Sequence, residues 1–91
     1  MDWVSFDYAH SVSPTEAMTK LSAAAKQLGV TYQLKVAKAK GRIDLAGKLL
    51  RGHAAVHKSK ISVSIELIGQ VTPTKASVQA GVRKALDEQF G

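Results

Sequence analysis

Asp44-Leu45-Ala46-Gly47-Lys48-Leu49-Leu50-Arg51-Gly52-His53-Ala54-Ala55-Val56-His57 is the stretch on which the fold turns. Coiled as a helix, it would set Leu45, Leu49 and Val56 in an apolar stripe and bring His53 and His57 onto one face. Gly47 and Gly52 would then each cost about 1 kcal/mol inside that helix. Extended, it reads as a strand ending near Ala46, a glycine-bounded connection from Gly47 to Gly52, and a second strand at Ala54-Ala55-Val56-His57. Short glycine-punctuated runs followed by Lys58-Ser59-Lys60 have the grammar of a meander, so strands are the expectation.

The flanks agree with that choice. Downstream, Ile61, Val63, Ile65 and Leu67 alternate with Ser62, Ser64 and Glu66, giving a β-branched apolar face and a small or polar one. Upstream, Ile43 and Leu45 follow a Lys40-Gly41 turn. Before that, Tyr32, Leu34 and Val36 alternate with Thr31, Gln33 and Lys35, which predicts a strand over 31–37. At the start of the chain Val4, Phe6 and Tyr8 point one way, and Trp3, Ser5 and Asp7 the other.

Two helices complete the order. Ser13-Pro14-Thr15-Glu16 offers a hydroxyl cap, a proline at the first helical position and a glutamate at the third. Met18, Leu21, Ala25 and Leu28 follow at helical spacing, and Gly29 is the expected left-handed stop, giving a helix over 14–28. A second helix is expected to open at Thr72-Pro73, with Val78, Val82, Leu86 and Phe90 as its buried stripe and Gly81 and Ala85 allowing close approach to the sheet. The prediction is an α+β domain, β-α-β-β-β-β-α. Its antiparallel sheet of about five strands carries two helices on one face and leaves the other wet. Strand order stays open at this level.

Composition narrows the function classes. Ninety-one residues suit one domain spanning 1–91. There are no cysteines, which removes disulfides, thiolate metal sites and thiol nucleophiles together. The first residues lack a basic, apolar leader, and no run approaches the ~20 apolar residues of a membrane-spanning helix, so a cytoplasmic protein is expected.

The net charge is +6. Lys35, Lys38, Lys40, Arg42, Lys48, Arg51, Lys58 and Lys60 crowd the middle third, where Asp44 is the local counter-charge. Such a block attracts polyanions, including a nucleic-acid backbone, or is simply a solvated sheet face. It contains no aromatic platform for stacking bases, so base-specific reading is not expected.

Catalytic and cofactor motifs are missing. No Gly-x-Ser-x-Gly elbow or phosphate loop occurs, and Asp7, Glu16, Asp44 and Glu66 fall on different elements with nothing in the sequence to pair them. On a strand His53 and His57 stand ~13 Å apart, beyond the reach of a shared metal ion. His10, between the first strand and the helix cap, is a candidate acid or base, or a loop-ordering group. Trp3 alone among the large apolar residues turns away from the core, as an edge contact or as an anchor for a partner surface. The expected function is therefore binding without catalysis, and small residues such as Ser62 and Ser64 on the exposed face leave room for pairing two copies.

Several landmarks recur together in a known family. These are His10-Ser11 with Glu16-Ala17 on the first helix, the Gly47…Gly52 stretch, the strand ending Glu66-Leu67-Ile68-Gly69, and the terminal Val82-Arg83-Lys84-Ala85-Leu86-Asp87-Glu88-Gln89-Phe90. On these the chain resembles, from about Phe6 to Phe90, a family of small bacterial proteins of the polyhydroxyalkanoic acid granule system. The resemblance implies association with a storage-granule surface or a granule-associated protein, in the cytoplasm, with no catalytic residues to carry over.

Overall fold

The computed structural model describes residues 2–68 and 74–91. Its elements follow the expected order: β1 (Asp2–Ala9), α1 (Pro14–Tyr32), β2 (Lys35–Ala39), β3 (Arg42–Ala46), β4 (Leu50–Val56), β5 (Lys60–Leu67) and α2 (Lys75–Phe90). One antiparallel sheet runs β1-β5-β4-β3-β2, so the first strand crosses to pair with the last while the other four form a meander. Residues 44–57 are strand, turn and strand, not helix.

Pairing register explains which face is dry. Val4, Ile65, Gly52, Leu45 and Val36 stand in one row across the sheet, and Phe6, Val63, Ala54, Ile43 and Lys38 in the next. Their side chains meet the helices. Ile43, Leu50, Ile61 and Ile65 are almost fully buried together with Val78 and Leu86 of α2. Leu21, Ala24, Ala25 and Leu28 of α1 close the same core. Burying each large aliphatic group contributes ~1.5–3 kcal/mol, the main favourable term for a chain of this size.

Three boundaries move from the sequence reading. Helix α1 passes through Gly29 and ends at Gln33, which takes the left-handed conformation (φ 56°) and donates its N–H to Gly29 C=O. Consequently Tyr32 is helical, and β2 starts only at Lys35, so the expected strand over 31–37 is displaced toward the C-terminus. Gly29 is retained for space: a Cβ there would lie 3.2 Å from both Leu34 O and Val36 Cγ2, where β2 folds back under the helix. The Ser13 cap forms as expected, its hydroxyl accepting from Glu16 N–H.

At α2, the cap is Thr74, whose hydroxyl accepts from Ser77 N–H. The expected Thr72-Pro73 opening lies outside the described residues. Gly81 does face a neighbour closely, but that neighbour is Tyr32 of α1, whose hydroxyl would lie 2.8 Å from an added Cβ. Gly52 belongs to β4 itself and not to a connection. A Cβ there would meet Ser64 O and Ile65 Cα of β5 at 2.2 and 2.7 Å, so the backbones approach too closely for any side chain.

Candidate functional site

Odd-numbered positions of β1 and their partners build the opposite, helix-free face. Three rows cross it: Trp3–Glu66–Arg51–Ala46–Lys35, then Ser5–Ser64–His53–Asp44–Ala37, then Asp7–Ser62–Ala55–Arg42–Ala39. The sequence marks Asp44 as the local counter-charge of the basic block, and it meets Arg42 along β3; register brings Glu66 and Asp7 to their cations. Arg42 Nε lies 3.1 Å from Asp44, Arg51 Nε 2.9 Å from Glu66, and Lys60 Nζ 3.4 Å from Asp7.

The Arg51–Glu66 pair differs from the others in burial. Glu66 is 3% exposed, although it lies on the open face. Its row neighbours are Trp3 on one side and Arg51 on the other. A carboxylate held there needs its cation, because an unpartnered buried charge costs several kcal/mol. Beside it Trp3 remains 48% exposed, a large apolar surface where most neighbours are polar.

The eight cations singled out from sequence do not form one patch. Arg42, Arg51 and Lys60 are ion-paired on the open face. Lys35 stands at its far edge. Lys38 and Lys40 line a shallow groove with Thr15, Met18 and Val56, near the first turn of α1. Lys48 and Lys58 lie in turns at opposite ends of β4. A track of phosphates following this block would have to bend around the edge of the sheet.

His10 closes a corner. Its backbone N–H donates to Ser59 C=O, and Nε2 lies 2.9 Å from His57 O. A carbonyl can only accept, so Nε2 is the donor in this contact. Nδ1 is buried without a partner. Phe90 packs beside the imidazole at a centroid separation of 6.0 Å, and Tyr8 lies 5.6 Å from the same ring. The residue fastens β1 to the β4–β5 turn and to the end of α2. Among the described residues no carboxylate orients it as a base.

Asp44, His53 and Ser64 stand on adjacent strands of one row, an order that invites comparison with a nucleophile–base–acid relay. The bonds formed are different ones: Asp44 pairs with Arg42, and Ser64 Oγ lies 3.4 Å from Ser5 Oγ. His53 lies within β4 and His57 just past its end, and among the described residues no three metal-ligating side chains cluster. The interior void between α1, α2 and the sheet is apolar, lined by Leu21, Leu28, Ile43, Val63 and Leu86 among others, and too small for a ligand. Among the described residues no helix is long and apolar enough to cross a membrane.

A family model described as "Putative polyhydroxyalkanoic acid system protein" matches residues 4–90, almost the whole chain, in agreement with the resemblance drawn from its short motifs. No curated protein and no solved structure matches it.

Proposed function

We propose, for a chain that belongs to the family of putative polyhydroxyalkanoic acid system proteins, a non-enzymatic accessory role in the cytoplasm, with the helix-free sheet face meeting the granule surface or a granule-associated protein. One observation carries this reading: the indole of Trp3 is half-exposed on a face whose principal charges are already matched to one another. A surface of that kind can dock an apolar partner without stripping water from unpaired ions, and an exposed tryptophan supplies the anchoring area. The ordinary surroundings of His10, and a relay row whose members bond elsewhere, support binding over catalysis.

The test is co-sedimentation of the purified protein with polyester granules. Wild type is expected to pellet with the granules and Trp3→Ala to stay in the supernatant, with both proteins folded by circular dichroism. Equal pelleting of the two would remove Trp3 as the anchor. Binding that collapses between low and moderate salt would instead transfer the interaction to the unpaired lysines, because contacts with a polyanion weaken steeply as counterions are added.

A further inference from the structure

The sheet has two edges, and they differ. On β2 the ladder leaves two residues outward. Val56 N–H donates to Gly41 C=O, so Gly41, Ile43 and Leu45 bond to β4, and Arg42, Asp44 and Ala46 bond to β2. The partners Ala39, Ala37 and Lys35 are thereby used, and only Val36 and Lys38 direct backbone groups away from the sheet. Lysines at 35, 38 and 40 guard that short edge, which discourages another strand from pairing with it.

β1 is the opposite case. His10 N–H donates to Ser59 C=O, one step beyond the Ala9–Lys60 pair, so the even-numbered residues of β1 bond to β5. Trp3, Ser5, Asp7 and Ala9 then direct their N–H and C=O groups to the free edge. The strand is eight residues long and pairs with β5 without a bulge. It contains no lysine, arginine, proline or glycine, and its charges are Asp2 and Asp7 alone. Among the described residues no strand covers it.

We propose that the occupant of this edge is β1 of a second copy, antiparallel about a two-fold axis through Phe6, forming one continuous ten-stranded sheet. The sequence of β1 is self-complementary in that register. Trp3 faces Ala9 of the second copy and Ser5 faces Asp7, so all four outward residues of each strand exchange both backbone bonds. The intervening pairs on the helix side are Phe6 with Phe6 and Val4 with Tyr8, apolar against apolar at the closer cross-strand spacing. Ser5 brings a hydroxyl donor to the Asp7 carboxylate. Sliding the copies so that the axis passes through Ser5 leaves Ala9 unpaired and sets Trp3 against Asp7. A slip of one residue sets each outward N–H and C=O opposite a residue whose own groups already bond to β5, so no ladder forms.

Arg83 of α2 stacks on Phe6 at 4.4 Å, so each copy brings one guanidinium beside the axis. Both Trp3 side chains remain on the shared open face, which the pairing doubles in width.

Sedimentation velocity at micromolar concentration is expected to give twice the 9.7 kDa chain mass. In the same sample, amide hydrogen exchange followed by NMR should show Ser5, Asp7 and Ala9 protected by roughly 100-fold or more, although in a lone chain these groups face solvent. Ser5→Pro removes an outward N–H without touching the β1–β5 ladder and should yield a folded monomer. Val36→Pro, its counterpart on β2, should remain dimeric. A monomer with freely exchanging Ser5, Asp7 and Ala9 amides would overturn the proposal, and that measurement decides alone if Ser5→Pro fails to fold. A dimer that survives Ser5→Pro would also overturn it, by moving the contact to β2 or to the open face. None of these measurements involves granules, so the accessory role is tested separately.

Discussion

On its helix side, the sheet meets α1 and α2 through Ile43, Leu50, Ile61, Val63 and Ile65, all buried. On its other side the same strands display Ser62, Ser64, Asp44 and His53, with Asp44 paired to Arg42 along β3 and Glu66 to Arg51 across strands. The two faces are made from alternate residues of single strands, so local conformation is identical and only the environment differs. That difference separates stability from recognition. Non-directional burial holds the first face together, whereas on the second the Arg51–Glu66 and Lys60–Asp7 pairs depend on which residue stands near which across strands.

Neighbouring residues of β5 provide the largest contrast. Ile65→Ala should lower unfolding free energy by about 3 kcal/mol, and Ser64→Ala by less than about 0.5 kcal/mol, in urea titrations with unchanged slopes. Similar losses at both positions would mean that the open face is covered in the folded protein.

A smaller effect is expected at the buried carboxylate. Arg51→Ala should cost about 2 kcal/mol, because Glu66, 3% exposed in the intact protein, loses the cation 2.9 Å away. Replacing both partners with apolar residues, Arg51→Met with Glu66→Leu, should recover most of the loss in the same titrations. Failure to recover would assign the cost to packing of the arginine stem and not to the stranded charge.

The smallest effect lies at the helix-side corner. Tyr8 is pushed up to about 12 by burial, then by its hydrogen bond to Asp87 and the charge of that carboxylate, with Arg83 opposing. Because the folded phenol holds its proton to higher pH than the unfolded one, its contribution is whole below pH 10 and lost as pH rises through about 12. The stability gap between wild type and Tyr8→Phe should be on the order of 1 kcal/mol at pH 9 and close up over that window. A gap that widened with pH would reverse the assignment.

Periodicity made most of the architecture legible. Alternation in β1, β3 and β5 and the Ser13-Pro14 cap of α1 are local signals, and each element appears where they point. Glycines were the weak points. Gly29 looked like a stop and Gly52 like part of a loop, because one chain segment shows that glycine is present but not what comes close to it. In the fold one glycine makes room for Leu34 and Val36, and the other for the backbone of β5.

The candidate site was legible only in part. Trp3 was marked by its place on the wrong side of an apolar alternation, and the structure leaves it on the open face. His10 was marked by its type alone, and its contacts with His57 and Phe90 span the length of the chain. The pairing of Arg51 with Glu66 joins two charges 15 residues apart, and only the β4–β5 register decides that they meet.

What the sequence determined by itself was the type and order of the elements and which side chains seek the interior, since hydrophobic period and capping act over a few residues. Tertiary structure alone decided strand order, ion-pair partners and which edge lacks protection. Those depend on contacts between residues far apart in the chain, where a shift of one position exchanges the two faces of the sheet.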